Sequence, residues 1–321
     1  MHRRRFLHTV AGGTLALAGG IPDSRAAANL LPLERAFVGR RKFEDVVSKA
    51  RKNGWAARPI GQRMAFLALE LRGVPYVGYT LEIDDRIECP SANFNGLDCW
   101  TFFEIVLGLA RMLEKPDANT PADLLAEIEW TRYRGGKCTG NYLERIHYLN
   151  EWYLDNAARG NVSDLTKSFG VAMPLRGRES REMTVLWKSY RYLRKNPELR
   201  PRMAELEKKI DQLPVSYIPK ASVPGIEPKL LNGDIIGIVT REQGGVCSHV
   251  GLILRPNTDA KAHFMHASSN HKKVVVDGTI SEYLNDFKSH LGILVARPLP
   301  TARSIRDLAT YQANLSRLTR A

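Results

Sequence analysis

The spacing of apolar positions divides the chain into two halves. Over residues 33–71, 121–132 and 141–159 apolar side chains recur at three- and four-residue intervals between charged ones, which predicts amphipathic helices. From residue 230 the period changes. LLNGDIIGIVT, SHVGLIL, AHFMHASS, KKVVVDG and GILVARPL are short runs rich in branched residues with brief connections, and they predict an antiparallel meander. Between the halves, residues 214–228 carry four prolines.

One stretch breaks the amphipathic pattern. Residues 100–113 are apolar on every side, with Trp100, Phe102, Phe103, Ile105, Val106, Leu107, Leu109, Met112 and Leu113, and a helix of that kind belongs inside a domain. Asp98 or Cys99 stands at its start, where an acceptor side chain can cap the free backbone donors. Residues 74–95, with Pro75, Gly78, Pro90 and Asn93, predict an irregular loop leading into it. The charged residues 176–212 predict an exposed helical elaboration broken near Pro197 and Pro201. The expected fold class is therefore α+β in a single domain over residues 29–299. It comprises a mainly helical half (29–213), a proline-rich connector (214–229) and a sheet half (230–299), with a basic tail at 300–321.

Composition adds the compartment. With 44% hydrophobic and 25% charged residues, a chain of 321 can bury a full core and is not disordered. At the N-terminus HRRRFLH precedes an apolar, glycine-rich stretch at 9–21 and then Ala26-Ala27-Ala28. This is the pattern of a cleaved export signal over residues 1–28, and Arg3-Arg4 before Phe6-Leu7 resemble the twin-arginine type. The expected location is the periplasm. The apolar stretch is too short to span a bilayer, and no later run reaches 18 apolar residues, so no stable membrane insertion is expected after cleavage.

Of the formal charge of +13, a net three sits in Arg3, Arg4, Arg5 and Arg25 against Asp23, and the rest is spread along the chain. Such a spread suits an acidic polymer. The absence of a compact basic motif with interleaved aromatics argues against nucleic acid as a partner. Four cysteines, Cys89, Cys99, Cys138 and Cys247, form no CxxC pair, so no structural metal is expected. An oxidising compartment permits disulfides, whose pairing the spacing leaves open.

A thiol with an ordinary pKa of about 8.5 needs help to become a nucleophile, and the free N–H groups and partial positive charge at the head of a helix favour an anion at Cys99. Two histidines supply the other half of such a site. If SHVGLIL and FMHASS form a hairpin closed by RPNTDA with Leu254 opposite Lys261, then His249 faces His266 directly. Their Cβ atoms would be roughly 5 Å apart, a base and its orienting partner. A two-residue shift would make the contact diagonal, and a one-residue slip would send the rings to opposite faces. Cys247, two residues before His249, is expected on the same strand face, as an inert small residue or within reach of Cys99. His147, between Arg145 and Trp152, is a further binding candidate, whereas His263, His271 and His290 are expected to be structural.

The loop PYVGYT, then NGLDCWTFFE, NGDIIGIV, SHVGLIL and FMHASS occur in the order found in the NlpC-type papain-like cell-wall hydrolases. RYRGGKCTGNYLERIHYLNEWYLDN and YIPK resemble one branch of these, the N-acetylmuramoyl-L-alanine amidase-like proteins. The resemblance implies a papain-like fold, with a helical lobe carrying the cysteine packed on an antiparallel sheet carrying both histidines. It implies hydrolysis of a peptidoglycan or muropeptide amide with no metal or cofactor, and Cys99, His249 and His266 as the catalytic triad. Tyr76, Asp98, Trp100, Arg145, His147 and Ser248 are the implied substrate-binding residues. Trp100 stands where dipeptide-releasing members usually carry the serine that helps bind a free peptide amine. That departure favours a sugar-linked alanine over a γ-D-glutamyl-diaminopimelate endopeptidase. A non-catalytic peptidoglycan-binding role is opposed by the presence of all three triad residue types.

Overall fold

The computed structural model describes residues 31–256 and 261–320; the expected export signal and the tip of the RPNTDA turn lie outside the described residues. Helices α1 (Arg40–Lys52), α2 (Ile60–Glu70), α3 (Cys99–Met112), α4 (Pro121–Arg132) and α5 (Leu149–Ala158) build the N-terminal half. The apolar stretch becomes α3, in which every residue from Thr101 to Met112 is buried. Asp98 caps it: the Thr101 N–H donates to Asp98 Oδ1 at 2.7 Å, and the Asp98 N–H donates back to Thr101 Oγ1 at 3.0 Å. Two charges on α3 are matched by α4, Glu104 with Arg132 at 2.7 Å and Arg111 with Glu127 at 2.9 Å.

Eight antiparallel strands form the sheet: β1 (Val162–Asp164), β2 (Met173–Pro174), β3 (Ser216–Pro219), β4 (Ile235–Thr240), β5 (Cys247–Leu254), β6 (His263–Ser268), β7 (Lys273–Thr279) and β8 (His290–Pro298). Their order is β2-β3-β8-β4-β5-β6-β7, with β1 also pairing β8. Both faces are covered, which is why IIGIV is a continuous apolar run rather than an alternating one. Val239, Val250, Leu252, Met265 and Leu294 join the core shared with α3, while Ile236, Ile238, Ile253, Phe264 and Ile293 pack with Tyr283 and Leu284 of a short helix, Ile280–Asn285.

Several expectations are corrected. The helical pattern of 141–159 yields a single turn at Tyr142–Glu144 and then α5 alone. The elaboration at 176–212 is not merely exposed: Met183, Tyr192, Leu193, Met203 and Ile210 form a core of their own with Tyr142 and Tyr148. Pro201 does not break its long helix α6 (Leu199–Asp211), because it falls in the first turn, where no intrahelical N–H is required. The connector contributes a strand, β3, that pairs with β8. The tail ends in a helix, Leu308–Arg320, held to α5 by the Tyr311 hydroxyl on Asp155 at 2.6 Å. Among the described residues no helix is long and apolar enough to cross a membrane.

Candidate active site

The hairpin register differs from the direct one by two residues. Leu254 pairs with His263, Ile253 with Phe264 and Leu252 with Met265, so the positions that next face each other are Gly251 and His266. The two histidines are therefore diagonal neighbours on one face, and His249 Nε2 still lies 2.7 Å from His266 Nδ1. Gly251 makes the arrangement possible. A Cβ there would stand 2.6 Å from the Phe264 ring, and Phe264 stacks on His266 with centroids 4.8 Å apart.

Beyond that point the strands part company. β5 continues along β4, with Ile238 opposite His249, and β6 continues along β7, with His266 opposite Val275. The head of α3 meets this fork, where the backbone N–H groups of Val250, Trp100 and Cys99 itself are directed at the Cys99 thiol. Burial nevertheless dominates and, with Asp98 adding to it, pushes that thiol up to about 12. Burial, with His266 and His290 adding to it, holds His249 well below the ordinary imidazole value. Both shifts favour the uncharged forms, a thiol and a neutral imidazole, for two residues that line the same cavity.

A carboxylate extends the histidine pair. His266 Nε2 lies 3.3 Å from Asp277 Oδ2, on β7. A carboxylate accepts, so His266 carries its proton on Nε2 and leaves Nδ1 bare. His249 must then donate from Nε2, which leaves its Nδ1 lone pair as the one available to a thiol. Asp277 was not anticipated from the sequence. The available signal was a single acid in the apolar run VVVDG, and its relation to His266 depends on a register that the sequence does not state.

Cys99 and His249 line one cavity of about 340 Å³, and Tyr76, Asp98, Trp100, Arg145, His147 and Ser248 line it too; His266 lies behind His249, outside the lining. Tyr76 is pushed up to about 12 by burial, then by Cys99 and Asp98. Arg145 is buried and committed, with Nη2 3.3 Å from Glu82 and Nε 3.3 Å from Glu88. It shapes the wall rather than offering a free cation. His147 is neutral because burial, then Arg145 and Arg134, lower its pKa, and Nε2 contacts the Tyr142 carbonyl at 3.1 Å. Tyr79, Glu82, Glu182 and Tyr190 also line the cavity and had gone unassigned.

The expectation for Cys247 is overturned in one respect. A bulge between Ile238 and Val239, which pair with His249 and Cys247, turns Cys247 to the face opposite His249. All four cysteines are free thiols.

The family model of the AmiA-like, N-acetylmuramoyl-L-alanine amidase-like proteins matches residues 67–293. The chain belongs to this family. Among solved structures, an N-acetylmuramoyl-L-alanine amidase from Bacteroides uniformis is 31% identical with a TM-score of 0.66, over 74% of this chain and 98% of that one. A Bacteroides fragilis protein assigned provisionally as a xylanase is 33% identical with a TM-score of 0.62, over 72% and 98%. A Legionella pneumophila protein, LPG0564, is 21% identical with a TM-score of 0.61 over 81% and 94%, and shares the fold. No curated protein matches. An amidase-type hydrolase related to cell-wall chemistry is what the family membership supports.

Proposed function

We propose that this protein is an exported, papain-like cysteine amidohydrolase that cleaves the bond between N-acetylmuramic acid and L-alanine in peptidoglycan or its fragments. The observation that carries the proposal is the linked set His249, His266 and Asp277, with His249 lining the same cavity as Cys99 at the head of a buried helix, in a chain of the amidase-like family.

The tautomers fix the direction of proton flow. His249 Nδ1 takes the proton from the Cys99 thiol as the sulfur attacks the lactyl carbonyl carbon, and the imidazolium so formed is stabilised through His266 by Asp277. Because both partners are neutral at rest, this transfer accompanies attack rather than preceding it. The carbonyl oxygen gains a negative charge beside the backbone N–H groups at the head of α3, a kind of contact worth about 3 kcal/mol in the transition state. The carbon–nitrogen bond then breaks, and His249 returns the proton to the departing alanine amine. Water, deprotonated by His249, hydrolyses the thioester and restores the thiol.

Asp98 supports the amidase over the dipeptide-releasing alternative. Both its oxygens are engaged, Oδ1 by Thr101 and Oδ2 by Thr80 at 3.3 Å, so it is poorly placed to pair a buried alkylammonium group. A sugar-linked alanine carries no such charge. Glycoside cleavage, the activity assigned to one neighbour, needs two carboxyl groups flanking the bond. Of the three carboxyl groups lining the cavity, Glu82 is held by Tyr142 at 2.6 Å and by Arg145, Asp98 caps α3, and Glu182 accepts from the Tyr190 hydroxyl at 2.7 Å.

The test is mass spectrometry of digests of defined muropeptides and of the free tetrapeptide. Sugar-bearing substrates should release the intact peptide, and free tetrapeptide should be a poor substrate. Release of L-Ala-γ-D-Glu from the free tetrapeptide, with the sugar-linked compound untouched, would replace the amidase by the endopeptidase.

A further inference from the structure

Tyr79 has a backbone that tyrosine rarely adopts. Its φ is +61°, in the left-handed region that a residue with a Cβ enters at a cost, and its side chain is 60% exposed at the rim of the Cys99 cavity. An exposed ring on a strained turn gains nothing for the core. Its neighbour is Tyr190, from the elaboration at 176–212, with ring centroids 5.9 Å apart at 80°. Tyr190 is itself fixed, because its hydroxyl donates to Glu182 Oε1 at 2.7 Å. Two aromatic rings and a carboxylate, brought together from distant parts of the chain, thus line the cavity that Cys99 also lines, with one ring open to solvent.

We propose that Tyr79, Tyr190 and Glu182 form a subsite for the N-acetylated sugar ring of the substrate. The apolar C–H face of a pyranose covers an exposed aromatic face, and its hydroxyls donate to a carboxylate oxygen. The charges of the cavity favour the sugar over the peptide at this rim. Glu82, Glu182 and Asp98 all line it, and its one arginine, Arg145, is already paired to Glu82 and Glu88. The peptide stem carries its own carboxylates and would be repelled there, whereas an N-acetylated sugar is neutral. The turn holds the Tyr79 ring in advance of binding, so less freedom is lost when the sugar arrives.

The inference rests on the amidase reading, and binding separates the two. In Cys99→Ala protein, which cannot turn over, calorimetry would compare a muramoyl tripeptide with the same lactyl tripeptide lacking the sugar. The sugar should tighten binding by about tenfold or more. Tyr79→Gly, which suits the positive φ and so keeps the turn, should reduce that gain to less than about twofold, and Tyr79→Trp should retain it. No gain from the sugar, or a gain that survives Tyr79→Gly, would overturn the subsite. Cleavage at a different bond, read in the digests of the unaltered enzyme, would overturn the amidase reading instead.

Discussion

At the scale of the residue, the consequential atom is a ring nitrogen. Asp277 determines which nitrogen of His266 carries its proton, and through it which nitrogen of His249 is free. Asp277→Asn can present its amide N–H to His266 Nε2, which would favour the opposite tautomer along the row. The expected outcome is a fall in kcat of about 10²-fold or more with KM little changed, since the lost stabilisation belongs to the imidazolium of the transition state. Cys99→Ala should be inactive regardless. A similar loss from Asp277→Asn with a matching rise in KM and a lowered unfolding temperature would mark a purely structural role.

The pH profile belongs to the same scale. Burial lowers His249 well below the usual imidazole value, and the base acts only when neutral. Lowering a pKa moves the acid limb of kcat/KM to lower pH, so activity should persist below the ordinary midpoint near 6.5. An acid limb at or above that value would contradict the buried, neutral base. On the alkaline side, a thiol pushed up to about 12 that reacts through its neutral form gives no thiol-dependent loss of activity up to pH 9.

At the scale of the element, α3 suits the proposed nucleophile because it is fixed on every side. Its apolar faces fill the core, Asp98 closes its first turn, and Glu104 binds it to Arg132 of α4 with both side chains fully buried. Removing one member of a buried ion pair strands the other charge, which typically costs 3–5 kcal/mol, whereas replacing both can be nearly neutral. Arg132→Met should therefore lower stability by about 3–5 kcal/mol, and the double variant with Glu104→Leu should recover a large part of it. Denaturant melts of the four proteins would measure the coupling, and additive losses would remove the pair from the account of what holds α3.

At the scale of the whole molecule, export is the remaining proposal, because the segment that would direct it lies outside the described residues. Replacing Arg3 and Arg4 by lysine should leave the protein in the cytoplasm, as cell fractionation with immunoblotting would show. Normal appearance outside the cytoplasm would disprove the twin-arginine assignment.

Much of the molecule was legible without coordinates. The all-apolar run specified a buried helix because no other placement of such a surface is stable in water, and Asp98 marked its start because a cap is a local interaction between residues three apart. Short runs of branched residues between brief connections specified strands for the same reason of locality. Even the shared face of His249 and His266 followed from parity, which a two-residue shift leaves intact. What the sequence left undetermined depends on how separate elements meet. The register, the loosening of β5 from β6 at Gly251 and the arrival of Asp277 behind His266 are contacts between separate strands, and the meeting of Tyr79 with Tyr190 joins segments far apart in sequence. Each is selected by how the whole core packs, since no local preference distinguishes one pairing from its neighbour two residues away. The bulge that turned Cys247 away from His249 has the same origin. Local chemistry named Cys99 and His249 as the proposed nucleophile and base, and only tertiary packing decided how the histidine proton is held and what surrounds it.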